Sequence, residues 1–332
     1  MAKSGWFILV VLIIAAAVMG YYTFQNFRDN LGSPVILTKS AKSDYKPSVN
    51  LNFSSYSGRE DIQFYKNMRF NHNDITYRVS SKCSLEQSEK FNSAVDFLDR
   101  LMRNVVISQV PWTSDADRDS SKGSSADIDI LCGMEYLESE DVYVAGEGGP
   151  KFVLNSTIFT VIIGGKVILY RDSCSYNVEL HELLHVFGFS HSGNRHSIMY
   201  NTSYCNQDIT GDIINKLNEL YSYEALPDLY FAEVSAVKHG IYLDFNVTIK
   251  NQGIIDSGNV TLRILGDDGS GDEKIQDFEL GGMEYGGGRT LSAQNIKLKT
   301  RNTKSVTFVI DPENRIREYG EENNKINMEV RE

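Results

Sequence analysis

The segment HELLHVFGFSH, residues 181–191, constrains this chain more than any other. His181 and His185 lie four apart in a helix-compatible run, a spacing that puts both imidazoles on one helix face. Side chains so placed can share one metal ion. Gly188 follows three residues later and can end the helix in a backbone geometry closed to larger residues. The chain can then turn and deliver His191 as a third ligand. Three neutral imidazoles suit zinc and leave a position for water. Glu182 falls next to His181, where its carboxylate reaches that water rather than the ion.

Such a set implies hydrolysis by activated water. Zinc lowers the pKa of its water and polarises a carbonyl. Glu182 accepts the proton as the water attacks and passes it to the leaving amine. No Ser/His/Asp or Cys/His arrangement competes for the role. Two further readings use the same residues: a cell-surface binding protein with a catalytically dead domain, and another metal hydrolase such as an amidase. His196, between His191 and Met199, is expected as a solvent-facing loop histidine.

The segment resembles the extended zinc signature of the metzincin superfamily. Met199, eight residues after His191, is similar to the Met-turn methionine that floors the metal in that superfamily. Within it the chain most resembles the matrixin group. Ser192 follows the third histidine, and Ile198-Met199-Tyr200 is similar to the matrixin turn, with Asn201 where proline is common. ITYRV (75–79), VYVAGEGGP (142–150) and ITGDIINKLNELY (209–221) are similar to the group's opening strand, substrate-side edge and terminal helix. The resemblance implies one zinc ion on His181, His185 and His191, with Glu182 as the base. It implies that an extended peptide pairs with an exposed edge at Val142, Tyr143, Val144, Ala145 and Gly146, while Tyr200, Asn201 and Tyr204 line a substrate pocket. Structural calcium has no compact loop motif here and is not assigned. Residues 28–68 hold no cysteine, so no thiolate from that stretch can cap the metal; latency by another route stays open.

Gly5–Phe24 is apolar, without a charge between Lys3 and Arg28, and is long enough to cross a bilayer as a helix. Trp6, Tyr21 and Tyr22 sit at its ends, as interfacial aromatics do. A cleaved signal peptide is the alternative, with Ala15–Ala17 as the cleavage site. Either reading carries the rest of the chain across a membrane. Four cysteines fit that route and allow three pairings; Cys174 and Cys205 bracket the histidine segment, which would leave Cys83 for Cys132. The net charge of -11 lacks the positive footprint a nucleic-acid binder needs.

After Ala225 the texture changes to strands such as IYLDFNVTIKNQG, NVTLRIL and SVTFVID, without a strong helix between them. That pattern predicts a small β-sandwich. LPDLYFAEVSAVKHGIYLDFNVTIKNQG (226–253) and VIDPENRIREYGEENNKINMEV (309–330) resemble a CARDB-type, immunoglobulin-like adhesion module. Such modules stand beside exported archaeal and bacterial enzymes, so the resemblance implies such an origin and a cell-surface ligand, a targeting role or a spacer.

The expected plan is a membrane anchor or signal at 1–27, a polar linker at 28–68, a protease domain at 69–224 and a CARDB-like sandwich at 225–332. The fold class expected for the protease domain is α+β: a twisted mixed sheet with active-site and C-terminal helices. The expected activity is a zinc endopeptidase acting on extracytoplasmic proteins, from a single-pass membrane anchor or in secreted form.

Overall fold

The computed structural model describes residues 35–38, 44–51, 62–112, 126–133, 142–156, 158–170 and 174–330. The apolar segment Gly5–Phe24 lies outside them. Among the described residues no helix is long and apolar enough to cross a membrane. The chain forms two compact units, residues 1–153 with 162–223, and residues 154–161 with 224–332.

The first unit is built on a seven-stranded sheet. Its order is Thr202–Ser203, Val35–Thr38, Val142–Pro150, Gly165–Leu169, Ile128–Cys132, Asp74–Val79, Val106–Gln109. The last four strands pair in parallel, and Val142–Pro150 is antiparallel to both its neighbours. Parallel neighbours need a crossover. Helix Leu85–Asp99 supplies it between Asp74–Val79 and Val106–Gln109. Ser84 and Gln87 close a reciprocal cap at its start, and Phe91, Ala94, Val95 and Leu98 form its buried stripe. Fully buried Arg69 donates to the carbonyls of Leu220 (2.6 Å) and Tyr223 (2.9 Å), satisfying the C-terminal end of helix Gly211–Leu220.

Four readings of the sequence need correction: GEGGP (146–150) as a turn, residues 157–170 as a hairpin with Gly164–Gly165 at its turn, residues 28–68 as a polar linker, and Val142–Gly146 as an exposed edge. The glycines of GEGGP do not break the strand, which continues to Pro150. They are required because the helix Asn177–Val186 lies against it: a Cβ on Gly148 would come within 2.5 Å of the Glu182 carbonyl. Next, Gly164–Gly165 does not join the two arms of a hairpin. Ile163 N–H donates to Phe152 O and Lys151 N–H to Gly164 O, so the first arm pairs backwards while Gly165–Leu169 joins the main sheet.

The stretch 28–68 is not simply a polar spacer, because its described parts are built into the unit. Val35–Thr38 is a sheet strand. Asp208 Oδ1 accepts hydrogen bonds from Tyr45 Oη, Ser48 N and Ser48 Oγ at 2.5–2.9 Å. A polar average hides short apolar runs such as VIL. It follows that Val142–Gly146 is not an exposed edge, since Val35–Thr38 lies along it in antiparallel register.

Two disulfides, Cys83–Cys132 and Cys174–Cys205, are formed. The first joins the end of strand Ile128–Cys132 to the turn before helix Leu85–Asp99. The second bridges the approach to helix Asn177–Val186 and the loop that follows Met199.

The second unit is an antiparallel β-sandwich. One sheet orders Leu229–His239, Tyr242–Asn251, Gly288–Lys297; the other orders Glu273–Gly282, Asn259–Asp267, Ser305–Ile310, Lys325–Glu329. Alternation makes the core: Leu243, Phe245, Val247 and Ile249 from one sheet meet Val260, Leu262, Ile264, Val306, Phe308 and Ile310 from the other.

Candidate metal centre

All ten residues of helix Asn177–Val186 are buried, including His181, Glu182 and His185. The helix ends at Phe187, and Gly188 takes φ +88. A side chain there would also strike Met68, with a Cβ only 2.7 Å from that residue's Cβ. This reversal lets the Phe189 carbonyl return to His185 Nδ1 at 2.7 Å. The Ile198 carbonyl likewise meets His181 Nδ1 at 2.6 Å. A carbonyl accepts, so both Nδ1 atoms carry the proton and both Nε2 atoms present a lone pair.

Those lone pairs converge. His191 Nε2 lies 3.2 Å from His181 Nε2 and 3.2 Å from His185 Nε2. One ligand atom from each of the three histidines falls within 4.8 Å of the others. Burial lowers the pKa of all three; for His181 burial and the neighbouring His191 bring it down to about 3. Neutral, convergent imidazoles, two fully buried and His191 partly so, are a donor set that fits zinc.

Further residues hold this geometry. Ser192 N–H donates to Met199 O at 2.8 Å, tying the residue after His191 to fully buried Met199. Tyr200 and Tyr204 stack with ring centroids 6.4 Å apart. Asn201 and Tyr204 are exposed at that wall, and so is His196 in the preceding loop.

Sequence reasoning missed Gln63, Phe64 and Gln207. Gln63, only 3% exposed, donates to Met68 O and Phe187 O and accepts from Met68 N–H, gripping the end of the site helix. Phe64 stacks on His185 at 5.6 Å. Gln207 Nε2 donates to Arg195 O and Thr202 O, and its own carbonyl accepts from Asn177 Nδ2, binding the loop to the helix start. None stands in a periodic or motif position, so only packing identifies them.

Residues 226–328 match the CARDB family model. Among solved structures, the CARDB domain of a Pyrococcus furiosus protein in complex with di-metal ions is similar at 17% identity, over 32% of this chain and 90% of that one, with a TM-score of 0.25. A domain of a Methanosarcina acetivorans protein classed as a cell surface protein is 23% identical over 32% of this chain and 94% of its own, with a TM-score of 0.27. OgpA from Akkermansia muciniphila, solved catalytically inactive with an O-glycopeptide substrate, is 11% identical over 82% of this chain and 96% of its own, with a TM-score of 0.21. At these scores the likenesses carry no chemistry across. No curated protein matches the chain. By its family match and its two-sheet core, the stretch from residue 226 to 328 is a CARDB domain.

Proposed function

We propose that the first unit is a zinc endopeptidase of the matrixin-like metzincin type, acting outside the cytoplasm on proteins or peptides. The single observation that carries this reading is the convergence of three Nε2 atoms, two of them on fully buried imidazoles whose Nδ1 atoms are held by backbone carbonyls. Zinc bound there would supply Lewis acidity toward a carbonyl and a water acidified toward neutral pH. His181, His185 and His191 would hold it; Met199 lies in the turn behind them. Glu182 is the base that takes the proton of the attacking water and returns it to the departing amine. Gly146 and Gly148 keep strand Val142–Pro150 tight against Glu182.

The CARDB domain is read as the part that orients or tethers the enzyme at a surface, and Gly5–Phe24 as its membrane anchor. The test is zinc content and peptide cleavage by the full chain in detergent, wild type against Glu182→Gln, each with and without the Leu37→Asp substitution argued below. One zinc in every form, with cleavage only where Glu182 is intact, is the expected result. Zinc without cleavage of any peptide in a diverse library would turn the reading to a binding protein.

A further inference from the structure

Strand Val35–Thr38 stands between the two elements that a peptide substrate would have to join. On one side it is antiparallel to Val142–Pro150, with Ile36 opposite Val144, Leu37 opposite Tyr143 and Thr38 opposite Val142. On the other it is parallel to Thr202–Ser203, and Ile36 N–H donates to Asn201 O at 3.2 Å. Val35 is in register with Gly146, where a Cβ would lie 3.0 Å from Glu182 Oε1. The four-residue strand therefore runs alongside the candidate base.

Leu37 is fully buried, in a cluster with Ala145, Val178, Cys174 and Cys205, against which Tyr143 packs. Val178 sits one helical turn before His181 and Glu182. Leu37 thus fills an aliphatic pocket floored by Val178 of the site helix and walled by the Cys174–Cys205 disulfide.

We propose that Val35–Thr38 is the chain's own occupant of the peptide groove, with Leu37 plugging its side-chain pocket, so that a substrate binds by displacing it. The proposal rests on the endopeptidase reading for its consequence, not for its geometry. Strand addition draws affinity from main-chain hydrogen bonds and selectivity from pockets for alternate side chains. The other neighbour of Val142–Pro150 is the sheet strand Gly165–Leu169, so among the described residues Val35–Thr38 holds the side of that strand that an incoming peptide would take. A strand of only four residues, with Leu37 fully buried and Ile36 half-buried, belongs to the weakly held end of a fold. Being tethered, it competes at an effective concentration on the order of millimolar. The same pocket specifies the substrate class: extended peptides with a leucine-sized aliphatic side chain at the position of Leu37. Because residues 28–68 lack cysteine, this restraint works by occupancy and not by a thiolate.

The test uses the full chain stripped of metal with a chelator, so that no turnover occurs. A fluorescent peptide of the sequence SPVILTKS, residues 33–40, is titrated into wild type, Leu37→Ala and Leu37→Asp, and read by anisotropy. Both variants are expected to bind it at least tenfold more tightly than wild type, and a peptide with aspartate in place of the leucine is expected not to bind. Amide exchange on wild type is measured alongside: Ile36 and Leu37 should exchange far faster than Ile130 and Val167 of the central strands. Equal binding by all three forms, or protection of Ile36 and Leu37 matching Ile130, would overturn the occupant. Should Leu37→Asp fail to fold, Leu37→Ala and the wild-type exchange still decide. Zinc is then restored. Tight peptide binding by the variants without cleavage removes the endopeptidase reading and leaves the occupant standing. Equal cleavage by all three forms does the reverse.

Discussion

The two units bury their ionisable groups in different arrangements. In the sandwich the core is aliphatic and aromatic, drawn from strands that alternate inward and outward. In the first unit the helix Asn177–Val186 buries Glu179, His181, Glu182 and His185 together with its leucines. Burying ionisable groups costs stability unless their neighbours compensate. The sandwich buries ionisable groups too, Asp228 and Glu318 among them, but among the described residues only the first unit brings three metal-ligating donor atoms together. The first unit carries buried polar groups arranged with donor and acceptor geometry, which packing does not require. That contrast argues for chemistry in one unit and for scaffolding or binding in the other.

The largest expected effect tests the chemical half of this contrast. His185→Ala removes one of three donors, itself fully buried. Zinc content measured by elemental analysis is expected to fall from one ion per chain to none after dialysis, and zinc-dependent cleavage with it. Retention of one tightly held zinc would show that the buried histidines are packing after all.

Phe308→Ala tests the other half. Phe308 is fully buried and meets Phe245 at 5.4 Å. Truncating a buried aromatic costs about 3–5 kcal/mol. Denaturant unfolding of the sandwich, followed by its methyl resonances, should shift by that amount while zinc content stays at one. A loss of zinc in this variant would break the comparison, because the two halves would no longer be separable.

The two halves were also legible in different ways. The histidine helix, its glycine reversal and the return of His191 follow from spacing, since 3.6 residues per turn leaves little choice. The sandwich follows from alternation over many strands, which tolerates an error at any one of them. What escaped was whatever depends on partners distant in sequence. Val35–Thr38 is apolar for only a few residues, and nothing local says that it pairs with Val142–Pro150, over a hundred residues away. GEGGP looks like a turn until helix Asn177–Val186 is laid on it. Gln63 grips Phe187 O through a contact 124 residues apart in sequence. The disulfides, by contrast, follow the pairing expected from Cys174 and Cys205 bracketing the histidine segment.

A smaller effect sharpens the first unit's side. Cys174→Ser with Cys205→Ser removes a cross-link spanning 31 residues around the histidine segment. Loss of such a bridge costs about 2–4 kcal/mol. Urea unfolding of the first unit should show that loss, with the sandwich transition unmoved. Because both cysteines line the pocket of Leu37, the Ile36 amide should also exchange faster in the double variant.

The smallest effect concerns the sandwich's own buried carboxyl. Glu318 is 7% exposed, takes a hydrogen bond from Leu229 N–H and another from Asn324 Nδ2 at 2.8 Å. Burial nevertheless dominates and, with Glu321 and Asp228 nearby, raises its pKa from 4.5 to about 7. The folded state therefore holds this proton more tightly than the unfolded chain does. Its contribution to stability is complete below about 4.5 and is lost as the pH rises through about 7. Asp277 acts in a different window: Arg263 and Lys274 lower its pKa to about 2, so its contribution is lost only as the medium becomes strongly acid. Glu318→Gln removes the titration and keeps the shape. Its amide oxygen keeps the bond from Leu229 N–H, and Asn324 Nδ2 keeps its bond to Glu321 Oε2. Denaturant midpoints of the sandwich across that range should fall with pH in wild type and stay nearly flat in the variant. Parallel slopes would mean that the hydrogen bonds from Leu229 and Asn324 keep Glu318 ionised, and that the sandwich, like the first unit, holds a buried charge by design of its neighbours.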